Sequence, residues 1–141
     1  LDFDLELATS TSNENPVYYI QYAHARIAGV FKQLAEQGLA WDDAAGRGAL
    51  GTLDNDLAAA LMTRLDRFSE TVRNAAERRA PNMIVNYLRD LATDLHRFYN
   101  EYKFLVDDTD ARNARLTLAA ATGQVLRNGL AILGVSAPEH M

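Results

Sequence analysis

Residues 13–36, NENPVYYIQYAHARIAGVFKQLAE, decide how the chain is read. The side chain of Asn15 is suited to cap a helix, and Pro16 to occupy its first position. Taking 100° per residue, Val17, Ile20, His24, Ile27, Phe31 and Leu34 recur by threes and fours, so they form one core-facing stripe. With Val17 at 0°, the stripe centres near about −40°, while Tyr18, Tyr22 and Arg26 fall at about 100°, 140° and 180°. A core helix would favour aliphatic residues there, because every buried hydroxyl or imidazole needs a hydrogen-bond partner. Two rings and a guanidinium in an axial line instead offer a surface on which unpaired bases stack. The same Tyr18/Tyr22/Arg26 face also suits an aromatic hot spot for a partner protein, making the chain a helical protein-interaction module. A third reading is plain architecture, with a second helical layer covering the line.

Outward from this helix, the lead-in LDFDLELATSTSNE (1–14) alternates apolar and acidic residues and is expected to be extended. On the other side, GLAWDDAAGRGALGT (38–52) has no period and reads as a loop. Gly46, Gly48 and Gly51 match a G-x-G-x-x-G spacing, but the strand and helix that a dinucleotide site needs are missing around them. Leu57, Leu61, Leu65, Phe68, Val72 and Ala75 then run at helical spacing, as one bent helix or as two short ones breaking near Ser69. Pro81 opens a helix with the face Ile84, Leu88, Leu91, Leu95, Phe98 and Tyr102. Asp108 or Thr109 caps the last helix, from about Asp110 to Leu133. That helix is apolar on two sides, Ala114/Leu118/Ala121/Val125 and Leu116/Ala119/Leu126/Leu130/Leu133, and should be central. Gly134 suits a left-handed stop. The expected architecture is all-α, an antiparallel helical bundle of four or five helices over 15–141.

At 141 residues one domain is the default, and 48% apolar content favours a packed core over disorder. No run approaches the roughly 18 apolar residues that span a bilayer, so no membrane partner is expected and the protein reads as cytoplasmic. The absence of cysteine removes thiolate metal sites and cysteine catalysis. A net charge of −5 argues against non-specific binding to DNA duplexes, though not against recognition of unpaired bases. The chain opens at Leu1, which reads as a fragment of something longer.

The search for chemistry finds no catalytic or metal residues. His24, His96 and His140 show no ligand pairing. His24 lies on the core stripe and reads as a buried imidazole with a satisfied hydrogen bond, His96 as a residue at the bundle edge. There is no G-x-S-x-G elbow, and the acidic residues fall in turns and helix starts.

Three segments carry a resemblance: NENPVYYIQYAHARI (13–27), YLRDLATDLHRFYNEYKFL (87–105) and ARLTLAAATGQVLRNGLAILGVSAPEHM (114–141). In this order they resemble class I arginyl-tRNA synthetases, from the exit of the catalytic domain through the C-terminal anticodon-binding, or DALR, domain. The signature for which that domain is called corresponds here to Ala120–Gly123, AATG, which lacks its aspartate and arginine. The resemblance implies an all-helical domain, with a variable loop at about 38–55, that binds the anticodon stem and loop of arginine tRNA and packs on its own catalytic domain. It implies that residues 1–14 lead in from that missing domain, which would carry the ATP-binding HIGH and KMSKS motifs absent here. The fragment itself is then not an enzyme and uses no cofactor, ATP belonging to the parent ligase. By the same likeness Tyr22 and Arg26 would contact anticodon-loop nucleotides and Met141 would close over them. Tyr18 and Tyr19 would be secondary contacts, while Arg89, Arg97 and Arg127 are within reach of phosphates but read first as ordinary solvated arginines.

Overall fold

A computed structural model describes residues 3–141, and the described residues form helices and connecting turns without strands. Seven α-helices follow one another: α1 (Leu5–Thr9), α2 (Pro16–Glu36), α3 (Asp43–Gly48), α4 (Asp56–Asp66), α5 (Phe68–Glu77), α6 (Asn82–Glu101) and α7 (Thr109–Ile132). Five of them reach ten residues or more, and these make the bundle. The caps sit where side-chain chemistry places them. Asn15 Oδ1 accepts from Val17 N–H at 3.1 Å, and Asp108 Oδ1 accepts from Ala111 N–H at 2.7 Å. Each satisfies a backbone donor that the first turn cannot pair internally.

The helix α6 packs on α2, α4, α5 and α7, and it buries Ile84, Leu88, Leu91, Leu95 and Phe98 almost completely. Its partner α7 also meets α2, α3 and α4, so the helix with two apolar faces is indeed central. Gly123 of α7 lies against Ile27 of α2, and Gly129 against Leu88 of α6. Arg115, near the start of α7, stacks over Tyr102 at the end of α6. The pairings of residues 24 to 27 with 127 to 123, and of 88 and 102 with 129 and 115, show that α7 runs antiparallel to both α2 and α6. Those two therefore run in the same sense, with a groove between them.

Four expectations need correction. The lead-in is not extended: Asp4 caps the short α1 by accepting from Leu7 N–H at 2.9 Å, and residues 1 and 2 of the lead-in lie outside the described residues. Asn15 then ties it down by donating from Nδ2 to Ala8 O and Ser10 O. The 38–52 loop contains α3 and a 3₁₀ turn at Leu50–Thr52. Tertiary contact explains it, since Gly46 lies so close to Asn113 and Thr117 of α7 that no other side chain fits. The break between α4 and α5 falls at Arg67, two residues before Ser69, and gives two short helices.

The fourth correction concerns α2. Its buried apolar residues are Ile20, Ala23, Ile27, Val30 and Leu34, whose mean direction is about −100° from Val17 at 100° per residue. Val17 is accordingly left 38% exposed. Arg26 lies only about 80° from the true core direction and Tyr22 about 120°. Tyr22 and Arg26 thus flank the core beside α6 and do not stand opposite it, while Tyr18, about 160° from the core direction, stays on the far side. Ala121 of α7 likewise faces solvent.

Candidate nucleic-acid interface

Along α2, one turn apart, the rings of Tyr18 and Tyr22 stack with centroids 6.5 Å apart and planes 10° from parallel. One turn further, the guanidinium carbon of Arg26 lies 4.9 Å from the Tyr22 ring centroid and 4.3 Å from that of Tyr99 on α6. Arg26 Nη2 donates to Tyr22 Oη at 3.0 Å, and Nη1 donates to His96 Nδ1 at 3.0 Å. A guanidinium held between two rings and by two neutral acceptors keeps its full positive charge. Among the described residues, no carboxylate pairs with it.

His96 is the fixed point of this arrangement. Its ring packs 5.1 Å from Tyr19 and 5.7 Å from Tyr22, and its Nε2 is buried without a hydrogen-bond partner among the described residues. Burial, and secondly the Arg26 charge, push its pKa down to about 4. The imidazole is therefore neutral at physiological pH, with Nδ1 bare to accept from Arg26 and Nε2 carrying the proton. Tyr19, on the inner side of the line, points its hydroxyl at Thr93 Oγ1 of α6, 3.1 Å away.

The residues after α7 complete the site. Gly134, at φ 71°, closes the helix in the left-handed conformation, with Val135 N–H donating to Leu130 O at 2.9 Å. The tail then crosses α2, where Gln21 Nε2 donates to Ser136 O at 2.9 Å and His24 Nδ1 to Pro138 O at 2.8 Å. His24 is the buried, hydrogen-bonded histidine expected from its stripe position. An open cavity of about 620 Å³ results, lined among others by Tyr22, Arg26, Tyr99, Glu139, His140 and Met141.

Sequence reading named Tyr22, Arg26 and Met141, and these three line one cavity. It also named Tyr18, which extends the stack, and Tyr19, which packs toward α6. Of the three arginines named for phosphates, Arg127 holds Gln124 and His24, whereas Arg89 and Arg97 stay exposed on α6. It missed His96 and Tyr99 as site residues. Their spacing of three, one step off the apolar stripe of α6, is the signal that marks a shared flank. Among the described residues, no cluster of histidine and acid groups is placed to hold a metal ion. No helix there is long and apolar enough to cross a membrane.

A helical bundle bearing an aromatic and guanidinium platform in an open groove has the make-up of a helical nucleic-acid-binding module. Residues 20–141 match the DALR anticodon binding domain, and the chain belongs to that family. It is 51% identical to an arginine–tRNA ligase of Coxiella burnetii over 141 residues, all of this chain and 24% of that protein. An arginine–tRNA ligase of Legionella pneumophila is 50% identical over the same span, again 24% of its length. The arginyl-tRNA synthetase of Thermus thermophilus shares the fold with a TM-score of 0.79 and 30% identity, matching all of this chain and 24% of that one. The chain thus spans about a quarter of the length of the relatives it matches.

Proposed function

We propose that this chain is the anticodon-binding module of an arginine–tRNA ligase, docking the anticodon stem and loop of arginine tRNA for aminoacylation by a catalytic domain elsewhere in the parent. The observation that carries this is Arg26, whose charge is held between Tyr22 and Tyr99 without a carboxylate, on the wall of a cavity that the tail helps to line. Flat surfaces for splayed bases and one uncompensated cation for a phosphate or base edge are what an anticodon loop requires. Tyr22, Arg26 and Met141 meet the loop, Tyr18 extends the stack, and Tyr19 supports it from the α6 side. ATP is used by the catalytic domain of the cytoplasmic parent, from which residues 1–14 lead in and on which this module packs. The module alone does not activate arginine.

The test is a titration of the chain with anticodon stem-loops of arginine tRNA and of unrelated tRNAs over a range of salt. Arginine stem-loops should bind more tightly, and the affinity should fall linearly with the logarithm of salt as phosphate counterions are released. Equal affinity for all stem-loops would overturn the reading. An absence of RNA binding, with capture of a protein partner through the Tyr18/Tyr22/Arg26 face, would favour the protein-interaction module instead.

A further inference from the structure

The motif QYAHAR, residues 21–26, is used on two sides. Tyr22 and Arg26 face the cavity. Gln21 and His24 face the tail, and nothing in the anticodon-binding reading needs them there.

His24 is 3% exposed and joins three elements. Its Nδ1 lies 2.8 Å from Pro138 O, which can only accept, so Nδ1 carries the hydrogen. Its Nε2 lies 3.3 Å from Arg127 Nη1 of α7, which can only donate, so Nε2 is bare. The two contacts together select one neutral tautomer and fix the ring plane. Arg127 is itself held by Gln124, which accepts from Nη2 at 2.7 Å. Three residues before His24, Gln21 grips the tail a second time at Ser136 O.

The tail anchored in this way is a wall between two spaces. Glu139 lines both the cavity over Tyr22 and Arg26 and a second one of about 440 Å³, on the side of Phe31, Trp41 and Arg127. If the tail lifted, the two spaces would merge and Met141 would lose its place above the platform. Residues 135–141, if left flexible, would lose conformational entropy each time a ligand bound, and two anchors remove that cost in advance.

We infer that Gln21 and His24 are positioning residues, which hold the Ser136 and Pro138 carbonyls so that the tail through Met141 stands as a fixed wall of the RNA-binding cavity. This deepens the anticodon-binding reading and rests on it for its ligand. The strap itself is a property of the free chain.

The test therefore has one arm without RNA. Backbone ¹⁵N relaxation of the 141-residue chain should give Ala137 and Glu139 order parameters in the folded range, falling below about 0.6 in Gln21→Ala and His24→Leu. His24→Asn, whose side-chain N–H reaches where Nδ1–H donates, should restore much of the order. Gln21 is half-buried at the surface, so Gln21→Ala keeps the fold and the arm informative even if His24→Leu unfolds. In the second arm, an arginine-tRNA anticodon stem-loop should bind Gln21→Ala about three- to tenfold more weakly than the parent chain, the worth of one hydrogen bond. In a chain cut after Val135 the same substitution should have no further effect. Unchanged order parameters at Ala137 and Glu139 in Gln21→Ala would overturn the strap whatever the RNA does. A Gln21→Ala penalty that persists in the cut chain would overturn it too. Ordered tail residues that loosen on substitution, in a chain that binds no stem-loop, would leave the strap standing and the anticodon reading overturned.

Discussion

Two polar, aromatic stretches lie along the same bundle and use their side chains in opposite ways. In residues 41–53, Trp41 Nε1–H donates to Thr117 Oγ1 at 3.0 Å, Asp42 N–H to Asn113 Oδ1 at 3.2 Å, and Asp42 Oδ1 caps α3 at Ala45 N–H. Arg47 is paired with Asp43 at 2.8 Å. Each polar group facing α7 is matched from within the chain, and Leu53 is buried at the end. In residues 18–26 the hydrogen bonds hold groups in place without neutralising them. Arg26 leans on a phenol, an imidazole and two rings, and its charge is still available to an anion. Both stretches carry aromatic rings, hydrogen-bonding side chains and an arginine. What separates architecture from site is whether the partners cancel the chemistry or only orient it.

The largest effect should come from the architectural stretch. A Cβ on Gly46 would stand 2.5 Å from Asn113 O and overlap Thr117 Oγ1, whereas one on Gly48, in the same helix, would meet open space. Gly46→Ala should destabilise the fold by about 2 to 3 kcal/mol, the usual cost of forcing atoms into a close-packed contact. Gly48→Ala should change stability by less than about 1 kcal/mol, and in the favourable direction. Urea unfolding reads both. Neither should alter stem-loop affinity in molecules that remain folded, and a loss there would mean that the 41–53 stretch belongs to the site.

Next comes the platform. Tyr22→Ala should weaken anticodon stem-loop binding by about 1 to 3 kcal/mol, the range for a base stacked on an aromatic ring. Arg26→Ala should cost a comparable amount, and its share should shrink at high salt if the guanidinium meets a phosphate. Calorimetry on the same samples decides between site and scaffold. A lower melting temperature with RNA affinity intact would put residues 18–26 in the same class as 41–53, and the contrast would collapse.

These two outcomes also mark how far the sequence reaches. Helices α6 and α7 were legible because burial repeats their apolar residues every three to four positions, and Asn15, Asp108 and Gly134 act within a few residues of themselves. Val17 misled because the stripe was drawn through His24 and Phe31. His24 is covered by the tail and by Arg127 of α7, and Phe31 packs against Trp41. Replacing Val17, His24 and Phe31 by the buried Ala23 and Val30 turns the face by about 60° at 100° per residue. That turn is what brings Arg26 to α6. The helix at 43–48 was invisible because glycine disfavours helix locally, and the contact that rewards it lies some seventy positions away, as the Asp42–Asn113 bond does. The tyrosine–arginine line was readable from one helix. Its holders, His96 and Tyr99, were not, since nothing local tells which flank of α6 will face α2.

The smallest effect tests that holder through acid. An imidazole in the unfolded chain takes up its proton near 6.5, but His96 in the fold does so only near 4. Between these values the unfolded chain binds more protons, so stability drops as pH falls from 6.5 toward 4 and no further part of the drop is due to His96 below that. With a part-exposed ring and solvent screening, the His96 share should be about 1 to 2 kcal/mol. In His96→Asn a carboxamide oxygen stands where Nδ1 accepts, so Arg26 stays held while the titration is removed. Urea unfolding of both chains at pH 7.5 and 4.5 should show the wild type losing more stability than the variant by that amount. Stem-loop affinity at neutral pH should be kept in His96→Asn and reduced in His96→Leu, which offers Arg26 no acceptor. Parallel losses in the two chains would mean that His96 is protonated as freely in the fold as outside it. Arg26 would then be facing a second cation on acidification, and the distinction between groups that orient and groups that cancel would fail at the residue on which it most depends.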